Sequence, residues 1–134
     1  MQRLAIVDND LISVWVYPDK NIVHHQMKGY CHGADFREAL GKGLEALREH
    51  QATKWLSDDR LNGGQLPADD EVWATQTWFP ATKAAGWLHW AVVQPAKVLA
   101  QVNIQRYIGM YKELGINARM FSDADEAFTW LDAQ

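Results

Sequence analysis

An α/β domain built on a mixed β-sheet is the architecture that this 134-residue chain predicts. Two strand patterns near the N-terminus are joined by a tight-turn sequence, and from residue 34 onward helix and strand patterns alternate. Alternating units of this kind place helices against a sheet that is mostly parallel in its second half, because a parallel pair needs a crossover rather than a hairpin. The expected order is βββαβαβαβα, an N-terminal hairpin followed by βα units, in a single domain over residues 1–134.

Residues 4–7 form a short apolar run. Residues 11–17 form a longer one, with Ile12, Val14 and Val16 on one face and Trp15 and Tyr17 on the other. Both predict strands. Pro18-Asp19-Lys20-Asn21 suits a tight turn, since proline presets one dihedral and Asp and Asn tolerate unusual ones; it leads into a third strand at Ile22–Met27. Over residues 34–50, Phe36, Leu40, Leu44 and Leu47 recur at helical spacing. Gly41 and Gly43 weaken that helix by about 0.5–1 kcal/mol each relative to alanine, which points to close approach of a neighbouring backbone.

Lys54–Asp58 predicts a short strand. A loop at 61–66 follows, then a helix whose start is marked by Pro67, Asp69, Asp70 and Glu71. Pro80 lacks an amide hydrogen, so this helix is expected to kink, or to end near Phe79 before a last turn that stops at Gly86. Residues 87–93 are apolar on both faces, the mark of a central strand covered on two sides. A long helix over 96–114 stops at Gly115, and a last strand occupies Asn117–Phe121. Ser122 with Asp125 then resembles a capping box opening a helix through Leu131.

Hydrophobic residues at 48% and charged residues at 22% argue for a folded core and against disorder. The net charge of −4, with the basic residues scattered, gives no stripe for a phosphate backbone, so nucleic acid is not an expected partner. No window approaches the roughly 20 apolar residues that span a bilayer, and residues 1–10 lack an export pattern, so neither membrane insertion nor secretion is expected. The single cysteine, Cys31, can form no internal disulfide, and a cytoplasmic location is the expectation.

Candidate functional residues gather at the end of the 54–58 strand, because ligands of open α/β sheets sit beyond the carboxyl ends of the strands. Asp58, Asp59, Arg60, Asn62, Gly63 and Gly64 occupy that edge. Asp58 and Asp59 could form an acid–base pair, but neighbours on a strand face opposite sides, and ion pairing with Arg60 or Lys54 is the plainer reading. The Asn62-Gly63-Gly64 turn could present amides to an anion. It lacks phosphate-loop spacing, however, and Asp69, Asp70 and Glu71 would repel phosphate. His24 and His25 also face opposite ways and no histidine has ligand spacing, so neither metal nor cofactor is expected. Cys31 beside His32 has no identifiable third partner and reads as a quiet thiol. An enzyme would have to draw on Asp58, Asp59, Arg60 and His89; no catalytic set stands out.

Seven tryptophans are the one compositional excess. Val72, Trp73, Trp78 and Phe79 exceed what one helix face buries, and in the next helix Val98, Leu99 and Val102 lie across from Ile104, Ile108 and Tyr111. At about 25 cal/mol per Å², such a strip calls for a cover. A homodimer or another protein partner is the leading expectation, with Trp73 and Trp78 in the contact surface. The alternative is a carrier of a small apolar or lipid-like ligand, walled by Trp73, Trp78, Trp90 and Tyr107.

KWLSDDR at 54–60, WFP at 78–80, WLHWAVVQP at 87–95 and ARMFSDADEAFTWL at 118–131 resemble the STAS-like, SpoIIAA-like group of small bacterial proteins, over nearly the whole chain. The resemblance implies a STAS-like fold. Anti-sigma-factor antagonists use it as a phosphorylation-controlled partner surface, and lipid-carrier relatives use it as a cavity. The antagonists carry a phosphorylatable serine after the strand that corresponds to Lys54–Asp58. Here the stretch from Asp58 through Gly64 holds no serine, and Ser57 lies inside the strand. What the resemblance implies is thus a non-enzymatic module acting through protein contacts, without the usual phosphate switch.

Overall fold

The computed structural model describes residues 2–62 and 65–134; Gly63 and Gly64, two of the candidate residues, lie outside them. Strands β1 (Leu4–Asp8), β2 (Ile12–Tyr17) and β3 (Ile22–Met27) form an antiparallel meander. The turn between β2 and β3 places Asn21 at φ 58°, in the left-handed region that asparagine tolerates better than most residues. Strands β4 (Lys54–Asp58), β5 (His89–Val93) and β6 (Asn117–Phe121) then add in parallel, giving one six-stranded mixed sheet in chain order among the described residues.

Helix α1 (Gly33–Glu49), the segment α2 (Ala68–Trp73), π-turn (Ala74–Trp78) and α3 (Phe79–Ala84), and helix α4 (Val98–Glu113) pack on one face of the sheet. Helix α5 (Ala124–Asp132) packs on the other. On the first face Val14, Val16, Val23, Trp55, Trp90 and Val92 meet Phe36, Leu47, Trp78, Phe79, Ile108 and Tyr111. On the second, Ile22, Leu56, Ala91 and Val93 meet Ala127 and Leu131. Burial on both sides explains why β4 and β5 lack the alternating exposure seen from Val23 to Met27 in β3.

Pro80 neither ends nor sharply breaks its helix. The Phe79 N–H donates to the Ala74 carbonyl five residues back, so one turn is widened just ahead of the proline. A proline inside a regular helix collides with the carbonyl four residues before it; a π-turn at that point relieves the collision and lets the helix continue. The same turn points Ala74 and Trp78 into the core. The start of α5 differs from expectation too. Asp123, not Ser122, is the cap, its Oδ1 accepting from the amides of Asp125 (2.8 Å) and Glu126 (3.0 Å).

The two helix glycines prove unlike. A Cβ at Gly43 would run into the Trp55 indole, whereas one at Gly41 would meet nothing within 4 Å. Gly43 is therefore required by a side chain crossing the sheet, not by a neighbouring backbone. We expect Gly43→Ala to destabilise the fold, since overpacking costs about 1–3 kcal/mol and outweighs the helix-propensity gain. Gly41→Ala should stabilise by about 0.5–1 kcal/mol. Urea titrations of the two variants check this, and equal shifts in both would contradict it.

Candidate functional site

Alternation along three neighbouring parallel strands brings the site together. His25 on β3, Trp55 and Ser57 on β4, and Trp90 on β5 face the same side of the sheet, with His25 paired to Ser57 and Trp55 paired to Trp90 in register. Asp59 continues the same alternation one step past β4, its amide donating to the Val93 carbonyl (3.1 Å). Above this floor α1, the π-turn and α4 contribute Phe36, Leu40, Ala74, Trp78, Ile104, Tyr107 and Tyr111. They border a partly open cavity of about 100 Å³ above β3, β4 and β5, with Asn62 and Leu66 also in its wall. A second hollow, bordered by Asn62, Leu66, Ile104 and Tyr107 among others, adjoins it between the 61–66 loop and α4.

The polar groups of the floor are paired in a chain. The Trp55 indole N–H donates to His25 Nδ1 (3.0 Å), and His25 Nε2 lies 2.9 Å from Asp59 Oδ1, both side chains being buried. Indole is only a donor, so Nδ1 must be the bare nitrogen, and Nε2 carries the proton given to Asp59. Oδ1 is thereby engaged, whereas Oδ2 takes no side-chain hydrogen bond among the described residues. The other indoles around the cavity are held as well: Trp90 donates to Ser57 Oγ (2.8 Å), Trp78 to the Leu40 carbonyl (2.8 Å) and Trp87 to the His89 carbonyl (2.9 Å). Their rings interlock at steep angles, Trp55 against Trp78 at 85° and Trp87 against Trp90 at 73°. Burial pushes the Tyr107 and Tyr111 hydroxyls far above their ordinary range, so both stay protonated.

Asp58 and Asp59 do face opposite sides. Asp58 makes a two-pronged contact with Arg60, at 2.9 Å to Nε and 2.7 Å to Nη2. Burial opposes its ionisation, but the hydrogen bonds and charge of Arg60 outweigh burial and hold the carboxyl below its usual range. Beside it, His24 Nδ1 shares a hydrogen bond with the Tyr17 hydroxyl (3.0 Å), while its Nε2 is buried without a partner among the described residues. Burial, aided by His25, pushes the His24 pKa down to about 3. Asp58, Arg60 and His24 thus form a cluster apart from the cavity.

His89 meets neither aspartate. It pairs with Lys54 while Asp58 pairs with Val93, four positions along the same ladder, about 13 Å at about 3.3 Å per residue. The histidine that does reach an aspartate is His25. Its signal lay in the parallel registry of HHQM with KWLSDD, visible only once β3 and β4 are placed side by side. Trp78 is buried and lines the cavity, so it offers no outer contact surface. Trp73 packs at the helix flank against Phe36 and Arg37, outside the cavity wall. Trp90 and Tyr107 do line it. Asp70, buried, accepts from the Gly33 amide (2.7 Å) and Arg37 Nε (3.0 Å) and so ties α2 to the start of α1. Cys31 is buried, and its thiol is raised to about 11, chiefly by desolvation.

On α4, Ile108 and Tyr111 are buried and Ile104 packs against the core, whereas Val98, Leu99 and Val102 are 71%, 82% and 57% exposed. No helix among the described residues is long and apolar enough to cross a membrane. Comparison of the chain with protein-family models, curated proteins and solved structures finds no match.

Proposed function

We propose that the protein binds a small, mostly apolar ligand in the cavity above β3, β4 and β5, with the ligand's polar end on Asp59. The carrying observation is an aromatic-walled space of about 100 Å³ with one carboxylate among its lining. An apolar cavity of about 150 Å³ admits benzene, so this smaller one has room for at most a single ring or a short branched group and not for a whole lipid. Native mass spectrometry of protein taken from cells should show a co-purifying small molecule. Ala74→Leu, which fills the space from the π-turn, should lose it with the fold intact by circular dichroism. A ligand retained in that variant would place binding elsewhere.

The general α/β architecture, with its N-terminal hairpin and βα units, supports keeping the STAS-like group as the proposed relative, with a ligand smaller than that of its lipid-carrier members. The exposed strip of Val98, Leu99 and Val102 favours a second reading, a regulatory homodimer joined through α4. Light scattering over a dilution series should then show a dimer that Leu99→Glu dissociates; a monomer at every concentration would rule this reading out.

A further inference from the structure

We propose that the cavity takes a methylated ammonium group, held by its aromatic rings and by the Asp59 carboxylate; this rests on the cavity being a ligand site. The charge of the floor leads to it. His25 and Asp59, 2.9 Å apart, have the spacing of a salt bridge. Because the Trp55 N–H occupies His25 Nδ1, however, the imidazole donates from Nε2 as an uncharged ring and brings no positive charge of its own to the Asp59 carboxyl group. No lysine or arginine stands among the described residues that line the cavity. A buried carboxylate without a counter-charge is costly, and a cation entering the cavity supplies that charge.

The walls fit the same partner. Trp55, Trp78, Trp87 and Trp90 all spend their N–H groups on protein acceptors, so they have no donor left for an anion or a carbonyl. What remains to them is the electron-rich ring, and tryptophan is the strongest ring partner of a cation. A bare ammonium ion would bring four donors and a tight hydration shell into a space where few lining groups can accept, Asp59 being the one carboxylate among them. A methylated ammonium needs few hydrogen bonds, and its methyl groups suit an apolar wall. At about 100 Å³ the space holds a head group and little more.

Calorimetric titration of the full chain tests this with four probes: choline, its uncharged carbon isostere 3,3-dimethylbutanol, ammonium chloride and benzene. Choline is expected to bind at least tenfold more tightly than the isostere and than ammonium. In Asp59→Asn that preference over the isostere should shrink to about twofold. If the variant fails to fold, the wild-type comparison decides alone. Equal or tighter binding of the isostere, or of ammonium, overturns the methylated cation while leaving a ligand cavity in place. Benzene binding without choline does the same. Exclusion of all four probes overturns both the cation and the ligand cavity.

Discussion

Trp55→Ala is expected to be the most destabilising single substitution in the core, lowering stability by about 4–8 kcal/mol at neutral pH. The indole is 1% exposed and touches both sides of the fold's central contact, packing under Gly43 of α1 and against Trp78 and Trp87. Removing a buried tryptophan to alanine costs about 3–5 kcal/mol, because the surroundings only partly collapse into the space. His25 Nδ1 would also lose its donor in a buried setting, adding about 1–3 kcal/mol. Against a total stability of about 5–15 kcal/mol, a combined loss of about 4–8 kcal/mol removes a large share of the stability and unfolds the chain where the total lies at the lower end. Trp55→Phe keeps a ring but loses the N–H, and should fall between the two. Chemical denaturation followed by circular dichroism reads both variants; a loss under about 1 kcal/mol for Trp55→Ala would contradict the central place given to this residue.

The fold should also weaken in mild acid, through His24. In the unfolded chain this imidazole takes a proton below about 6.5, whereas in the fold it does so only near 3. Between those values the unfolded state binds more protons, so stability rises with pH across the window; it is complete above the upper value and lost progressively toward the lower. The slope is at most about 1.4 kcal/mol per pH unit, and the whole effect is on the order of a few kcal/mol. Asp58 adds a separate loss at lower pH, because its carboxyl is held below 3.8 in the fold. His24→Gln keeps a hydrogen-bonding group for the Tyr17 hydroxyl but cannot titrate. Urea midpoints measured from pH 7 down to pH 4 should fall steeply in the wild type and stay nearly flat in the variant; parallel curves would show that His24 is not the cause.

Much of the architecture was legible because strand and helix periodicities differ and the chain switches between them cleanly. Ile12, Val14 and Val16 announce a half-buried strand, and Phe36, Leu40 and Leu47 a helix face, before any contact is known. Capping and breaks were less legible, since they turn on single side chains. Asp123 wins the α5 cap over its neighbour Ser122, and the π-turn before Pro80 depends on where one carbonyl finds a donor. The edge beyond β4 was marked by its acids, and opposite facing of Asp58 and Asp59 follows from the pleat alone. Strand registry was not visible. Without it His25 is merely one of two adjacent histidines, and His89 looks as near to Asp59 as His25 does. Nor does a sequence distinguish a tryptophan that faces outward from one that borders a hollow, so Trp78 reads equally well as contact surface or as ligand wall until its burial is known.

The seven indole N–H resonances offer a direct view of the cavity, because Trp55, Trp78, Trp87 and Trp90 line it while Trp15, Trp73 and Trp130 lie outside its wall. In a ¹⁵N-correlated titration with choline or benzene, the first four signals should shift together and saturate while the other three stay in place. Shifts confined to the outer three, or no shift in any of the seven, would contradict a ligand site between the sheet and its helices.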